Sequence, residues 1–214
     1  MSKALVITSY VEHIENISLN PDDFDAVICA DAGLLIAERL GISPTHLIGD
    51  YDSMDIPQKA DGDSSVFDEL IMLPMEKDMT DTEAALDLAM SEGFDDLTVL
   101  GGLGGRFDHT MGNIGMLARF TPLTSSICLL DGQNRVSMLE PGTMTVHRGP
   151  YKYLGLIAYG GLCRGVSASG VKYPLDHFQL PNNTSLGVSN EILGEYAEIS
   201  IEEGQLLVIQ TMDL

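Results

Sequence analysis

Asp25-Ala-Val-Ile-Cys-Ala30-Asp31-Ala32-Gly33-Leu34-Leu-Ile-Ala-Glu-Arg-Leu40-Gly41 is the stretch whose reading decides the fold class. An apolar run of strand length passes through a short turn into a segment with helical apolar spacing, which Gly41 stops. The unit is strand-turn-helix, and Asp31 stands at the carboxyl end of its strand. There it either caps the helix or faces a ligand in the crevice that open α/β sheets form along that edge.

The same alternation extends in both directions. Residues 4–7 read as a buried strand closed by Thr8-Ser9, and Glu12 to Pro21 as a polar loop or short helix. Further along, Pro44 to Ile48 leads apolar into Gly49-Asp-Tyr-Asp-Ser53, and Leu70 to Leu73 is a strand ended by Pro74. A helical run follows from Ala84 to Met90. Thr80 and Glu83 ahead of it have capping-box spacing, which puts Asp81 in the first turn. Asp96 to Leu100, a helix through Ile114 to Phe120, and Ser126 to Leu130 complete the series. Strands alternating with helices predict an α/β N-terminal domain with a mostly parallel sheet and flanking helices over residues 1–131.

The pattern changes at Asp131-Gly132. Short strand candidates divided by turns follow at Arg135–Leu139, Gly142–Val146, Tyr153–Tyr159, Gly165–Ser169, Ala197–Ile201 and Leu206–Thr211. Ala197, Ile199 and Ile201 alternate with polar neighbours, as a half-buried strand requires. Residues 132–214 therefore read as an all-β C-terminal domain, a small sandwich or barrel.

Charge narrows the function classes. The chain carries 11 Lys plus Arg against 32 Asp plus Glu, a net charge of -21. Such a field repels phosphate backbones and argues against nucleic acid as a partner. Phosphate chemistry here needs a divalent metal and a few well-placed basic residues, which makes Lys77 and Arg106 informative. No apolar run reaches the roughly 18 residues of a membrane span, and the N-terminus lacks the pattern of a signal peptide. No membrane partner and a cytoplasmic location are the expectations. Cys29, Cys128 and Cys163 match no zinc or redox spacing and read as reduced core residues.

Three stretches carry chemistry. Asp50 and Asp52, at i and i+2 beyond a strand, can share a hard cation such as Mg²⁺, although taken alone they are explained by an Asp/Ser turn. Asp78 and Asp81, before and within a first helical turn, can complete that site, with Lys77 placed to meet a phosphate. Gly101-Gly-Leu-Gly-Gly-Arg-Phe-Asp-His109 has four glycines in five positions. Gly102, Gly104 and Gly105 permit close backbone approach to a phosphate, and Arg106, Asp108 and His109 follow at once. The lysine-bearing P-loop pattern is absent. In the second half, Lys172-Tyr-Pro-Leu175 and Gly187-Val-Ser-Asn-Glu191 gather polar groups among apolar ones, and each alone is explained by a turn.

Taken together and in order, Gly49-Asp-Tyr-Asp-Ser53, Lys77-Asp-Met-Thr-Asp-Thr-Glu83, the glycine loop through His109 with Asn113, Lys172 to Leu175 and Gly187 to Glu191 resemble thiamine pyrophosphokinases. The resemblance implies an α/β catalytic domain followed by a β-sandwich domain. It also implies Mg²⁺-dependent transfer of a pyrophosphoryl group from ATP to thiamine, in a homodimer with thiamine bound between subunits. Carried over residue by residue, the metal ligands fall on Asp50, Asp52 and Asp81, with Asp78 close by. The nucleotide side falls on Asp31, Lys77, the glycine loop and Arg106, and Asp108 and His109 join nucleotide to acceptor. Substrate contacts fall on Asn113, Ser189 and Asn190, with Lys172 and Tyr173 shaping the dimer-side pocket. The alternatives are another Mg²⁺-dependent phosphotransferase or nucleotide hydrolase, and a nucleotide-binding regulatory protein without turnover. Where family members read Asp-Gly-Gly-Ala or Asp-Ser-Gly-Ala, this chain has Asp31-Ala32-Gly33-Leu34.

Overall fold

The structure is a computed structural model and describes residues 1–50, 67, 69–74 and 78–214. The chain divides into two compact units, Met1–Met116 with Leu123–Gly132, and Leu117–Pro122 with Gln133–Leu214.

The first unit holds strands β1 (Lys3–Ile7), β2 (Ala26–Ala30), β3 (His46–Gly49), β4 (Glu69–Met72), β5 (Asp96–Leu100) and β6 (Ser126–Leu130). They pair in the order β4-β3-β2-β1-β5-β6, every pair parallel. The chain moves outward from β1 through β2 and β3 to β4, then returns to place β5 on the other side of β1. The order therefore reverses between β1 and β5, and a crevice opens there at the carboxyl edge. β1 and β2 read as continuous apolar runs because a parallel sheet is covered on both faces; all five residues of β2 are buried.

Helix α1 (Gly33–Leu40) follows β2 and packs Leu34, Ile36 and Ala37 into a core with Leu5, Ile7, Val27, Cys29, Leu47 and Leu100. Leu34 is thus a core residue at 1% exposure. Asp31 does not cap α1: Ala32 occupies the cap with no side-chain bond, and Asp31 takes a left-handed backbone at φ 50. α2 (Asp81–Ser91) starts as its spacing predicts, with Thr80 Oγ1 accepting from the Glu83 N–H at 3.1 Å. α3 spans Phe107–Phe120.

In the second unit, β7 (Asn134–Leu139), β8 (Gly142–His147), β9 (Tyr153–Ser169), β10 (Leu175–Leu180), β11 (Tyr196–Ile201) and β12 (Glu203–Thr211) pair antiparallel. Two expectations change. The separate strands at Tyr153–Tyr159 and Gly165–Ser169 are one strand of 17 residues. Its first half pairs with β12 and its second with β10 and β11, so one strand serves two sheet regions, as a corner strand does. β10 was not legible: Asp176, His177 and Gln179 break its apolar pattern, and among the described strands it pairs with β9 alone. The core here is built from Leu154, Leu156, Val166, Ile199, Leu206 and Val208 among others.

All three cysteines are free and buried, as expected of reduced core residues. Burial pushes the Cys29 thiol up to about 12, and only the thiolate is an effective nucleophile. Iodoacetamide at about pH 8, well below that value, is therefore expected to leave Cys29 unmodified in the native protein and to alkylate it after unfolding. Peptide mass spectrometry of the two samples checks this; labelling of native Cys29 contradicts its burial.

Candidate active site

A cavity of about 420 Å³ lies at the carboxyl edge of the parallel sheet, where the strand order reverses. Thr8, Ser9 and Tyr10 enter it from the end of β1, Asp31 from β2, Thr80, Asp81 and Thr82 from the start of α2, and Gly102, Gly104, Gly105, Arg106, His109 and Asn113 from the β5–α3 segment. Of the residues singled out in the sequence, Asp31, Asp81, Gly102, Gly104, Gly105, Arg106, His109 and Asn113 are brought together here.

Backbone geometry fixes each contribution. The Asp31 N–H donates to the Ile48 carbonyl at 2.9 Å, which sets the ends of β2 and β3 side by side. Asp31 and Asp50 thus emerge from neighbouring strands, and Ser9 Oγ donates to the Asp31 carboxylate at 3.3 Å. Asp81 is the first residue of α2, where the helix dipole favours a negative charge. These are hard oxygen donors, the set that suits Mg²⁺ rather than a thiolate- or imidazole-seeking metal. The donor set fits a magnesium–nucleotide on that ground. Asp50 itself is half-buried and outside the cavity lining, and Asp78 is exposed just before α2. Asp52 and Lys77 lie outside the described residues.

The glycine loop is held from both sides. Gly102 N–H donates to the Tyr10 carbonyl at 3.3 Å, and Asn113 Nδ2 and Thr110 Oγ1 donate to the Gly102 and Gly104 carbonyls at 2.9 and 3.1 Å. Gly104 has φ 75, and a Cβ there would lie 2.0 Å from Glu12 Oε2 and 3.3 Å from the Tyr10 ring. The loop is therefore a close-approach surface that a side chain would disrupt. Asn113, 6% exposed, holds this loop as well as lining the cavity.

The loop delivers the chain into α3, whose N-terminal dipole and N–H groups favour anions. Arg106 stands immediately before the helix. Its guanidinium grips Asp108 with two bonds, NH2 to Oδ2 at 2.6 Å and Nε to Oδ1 at 3.2 Å. That grip raises the Arg106 pKa and is the main cause holding the Asp108 carboxyl below its ordinary range. Asp108 is thus Arg106's anchor and does not line the cavity.

Lys172, Tyr173, Ser189 and Asn190 lie in the second unit. Asn190, 6% exposed, accepts from the Tyr173 N–H at 3.0 Å and donates to the Tyr173 carbonyl at 2.8 Å. Its amide therefore clasps the two motifs, which two isolated turns would not require. Lys172 Nζ bonds Glu191 Oε1 at 2.7 Å and sits 5.6 Å from the Tyr173 ring centre. The pairing raises the Lys172 pKa and lowers that of Glu191. Tyr173 and Ser189 are exposed, Ser189 with a left-handed backbone at φ 61.

Sequence reasoning missed Thr8, Ser9, Tyr10, Thr80 and Thr82 as cavity residues. The one available signal was position, since each directly follows a strand or opens a helix at the edge where ligands bind.

The chain is similar to known proteins over most of its length. A family model for the thiamin pyrophosphokinase catalytic domain matches residues 21–129, and one for its vitamin B1 binding domain matches residues 143–206. Thiamine pyrophosphokinase of Bacillus subtilis is 30% identical over 193 residues, covering 90% of each chain. A crystal structure of that organism's thiamine pyrophosphokinase superposes with a TM-score of 0.84 at 26% identity, covering 100% of both chains. A thiamin pyrophosphokinase family protein from Enterococcus faecalis gives 0.84 at 27%, again over 100% of both. Two family models in chain order and a relative matched nearly end to end make this chain a member of the thiamine pyrophosphokinase family, a family of thiamine diphosphokinase enzymes.

Proposed function

We propose that this chain transfers a pyrophosphoryl group from ATP to the hydroxyethyl oxygen of thiamine, giving thiamine diphosphate and AMP by direct Mg²⁺-assisted in-line displacement. The observation that carries this reading is the convergence, in one cavity at the sheet's switch point, of Asp31 and Asp81 with a glycine loop, a helix N-terminus and Arg106.

The thiamine oxygen forms a bond to the β-phosphorus while the bond from that phosphorus to the α,β-bridging oxygen breaks and AMP departs. Charge spreads over phosphoryl oxygens in this transfer, so positioning and electrostatics dominate. Arg106 and Lys77 bind those oxygens, and the loop of Gly102, Gly104 and Gly105 lets the phosphates approach the start of α3. Asp31 serves the nucleotide side, and His109, in the first turn of the helix, faces the junction of nucleotide and acceptor. Asp50, Asp52 and Asp81, with Asp78 nearby, would hold Mg²⁺, which when bound supplies charge neutralisation to the phosphates. One of the clustered aspartates takes the hydroxyl proton late in the transfer.

Along the sequence the chain is read as a catalytic α/β domain, residues 1–131, and a β-sandwich domain, residues 132–214, that contributes to thiamine binding and dimerisation. Ser189 and Asn190 contact thiamine across a homodimer interface, with Lys172 and Tyr173 shaping the pocket and Asn190 fixing the Tyr173 backbone. No helix among the described residues is long and apolar enough to cross a membrane.

Nucleotide product analysis with and without thiamine tests the activity. AMP is expected only when ATP, thiamine and Mg²⁺ are all present. ADP as sole product, or hydrolysis without thiamine, identifies a different phosphotransferase or a nucleotide hydrolase. Tight ATP binding with no product identifies a regulatory protein.

A further inference from the structure

At the amino edge of the parallel sheet, away from the cavity, three potential metal ligands converge. His46 opens β3, Glu69 opens β4 directly opposite it in register, and Glu92 closes α2. His46 Nε2 lies 3.2 Å from Glu92 Oε1 and 3.8 Å from Glu69 Oε2, and one ligand atom of each residue lies within 4.8 Å of the other two. The His46 side chain is 14% exposed, whereas those of Glu69 and Glu92 are 57% and 29% exposed. The imidazole is thus anchored, and the carboxylates are free to adjust.

A second contact determines which ring nitrogen faces the carboxylates. Thr45 Oγ1 lies 2.7 Å from His46 Nδ1. The same hydroxyl donates to the Val27 carbonyl at 2.9 Å and accepts from the Val27 N–H at 2.9 Å. That hydroxyl ties the ring to Val27 through Nδ1, which leaves Nε2 as the ring nitrogen whose lone pair can meet a cation beside the two carboxylates. Fixing the ring through Nδ1 in this way is how proteins orient a metal-binding histidine. A lone pair and two anions repel one another unless a positive charge sits between them. The dipole of α2, negative at its C-terminus, and the net charge of -21 both favour a cation there.

We propose that His46, Glu69 and Glu92 bind a divalent cation of the zinc class, with water completing the coordination. Zinc bonds of about 2.0–2.2 Å place tetrahedral ligand atoms about 3.3–3.6 Å apart, close to the two distances found. One nitrogen and two carboxylates form a borderline donor set, distinct from the all-oxygen groups of the cavity. The four residues of β3 separate the two edges, a span of about 13 Å. The ion joins β3, β4 and the end of α2 from the far side of the sheet.

The test is calorimetric titration of the metal-stripped full-length protein with Zn²⁺ in the presence of excess Mg²⁺, which occupies carboxylate-only sites. One Zn²⁺ per chain is expected, with a rise in melting temperature on binding. His46→Gln, Glu69→Gln and Glu92→Gln are each expected to weaken binding by at least about tenfold and to lose most of that rise. Co²⁺ is expected to give the strong visible absorption of a low-symmetry four-coordinate site, and Glu92→Gln to lose it. If His46→Gln does not fold, the two exposed glutamate variants decide the matter. Absence of Zn²⁺ binding, or affinity unchanged in both glutamate variants, overturns the proposal and leaves His46 as a side-chain partner of the two glutamates.

Discussion

Replacing Arg106 with alanine is expected to lower the rate of AMP formation by about 10³-fold, the scale of an arginine that stabilises phosphoryl-transfer charge. The guanidinium lines the cavity at the mouth of α3, and Asp108 holds it by two bonds. Both side chains are largely exposed, at 73% and 66%, so their pairing contributes little to stability. The melting temperature is therefore expected to stay close to that of the parent protein while activity falls. Arg106→Lys keeps the charge but loses the planar two-pronged donor, and an intermediate loss of about 10–10² is expected. Initial rates at saturating ATP and thiamine, with circular dichroism on the same samples, separate chemistry from folding. An Arg106→Ala enzyme with its full rate would falsify the assignment of Arg106 to the transferred phosphates.

Gly101→Ala is expected to destabilise the fold of the first unit strongly. Gly101 ends β5 with φ 96, and its N–H donates to the Leu130 carbonyl at 2.7 Å. An added Cβ would sit 2.3 Å from both Thr8 Oγ1 and the Tyr10 carbonyl. Left-handed strain of about 1–3 kcal/mol and overpacking of about 1–3 kcal/mol sum to roughly 2–6 kcal/mol. That is a large part of the roughly 5–15 kcal/mol that holds a typical domain together. Gly112, within α3 and with nothing inside 4 Å of a built Cβ, is the control. Alanine there is expected to stabilise by about 0.5–1 kcal/mol, because glycine is a poor helix residue. Urea unfolding midpoints of the two variants should move in opposite directions. Equal midpoints contradict the close packing of the β1 and β5 ends.

Both expectations rest on residues whose meaning is only partly local. The glycine loop, the acidic residues and the Thr80 cap stood out in the sequence because each depends on neighbours within a few positions. Thr80 accepts from the Glu83 N–H as its spacing required, and the apolar runs of β1, β2, β5 and β6 emerged as buried strands. Asp31 was readable as a strand-end carboxylate, but its choice between cap and crevice depended on a left-handed backbone fixed by the Ile48 carbonyl. β10 stayed hidden because an edge strand with a single partner need not alternate cleanly.

By itself the sequence determined the fold class of the first half, the β character of the second and the residues that mark the family, because burial and turn chemistry write themselves into period and composition. Tertiary structure alone decided which strand ends meet. The reversal of order at β1 put Thr8, Ser9 and Tyr10 beside the glycine loop, and parallel pairing set His46 opposite Glu69. The physical reason is that contacts between residues far apart in the chain depend on strand order and register. These are set by the packing of the whole sheet and leave no local period to read.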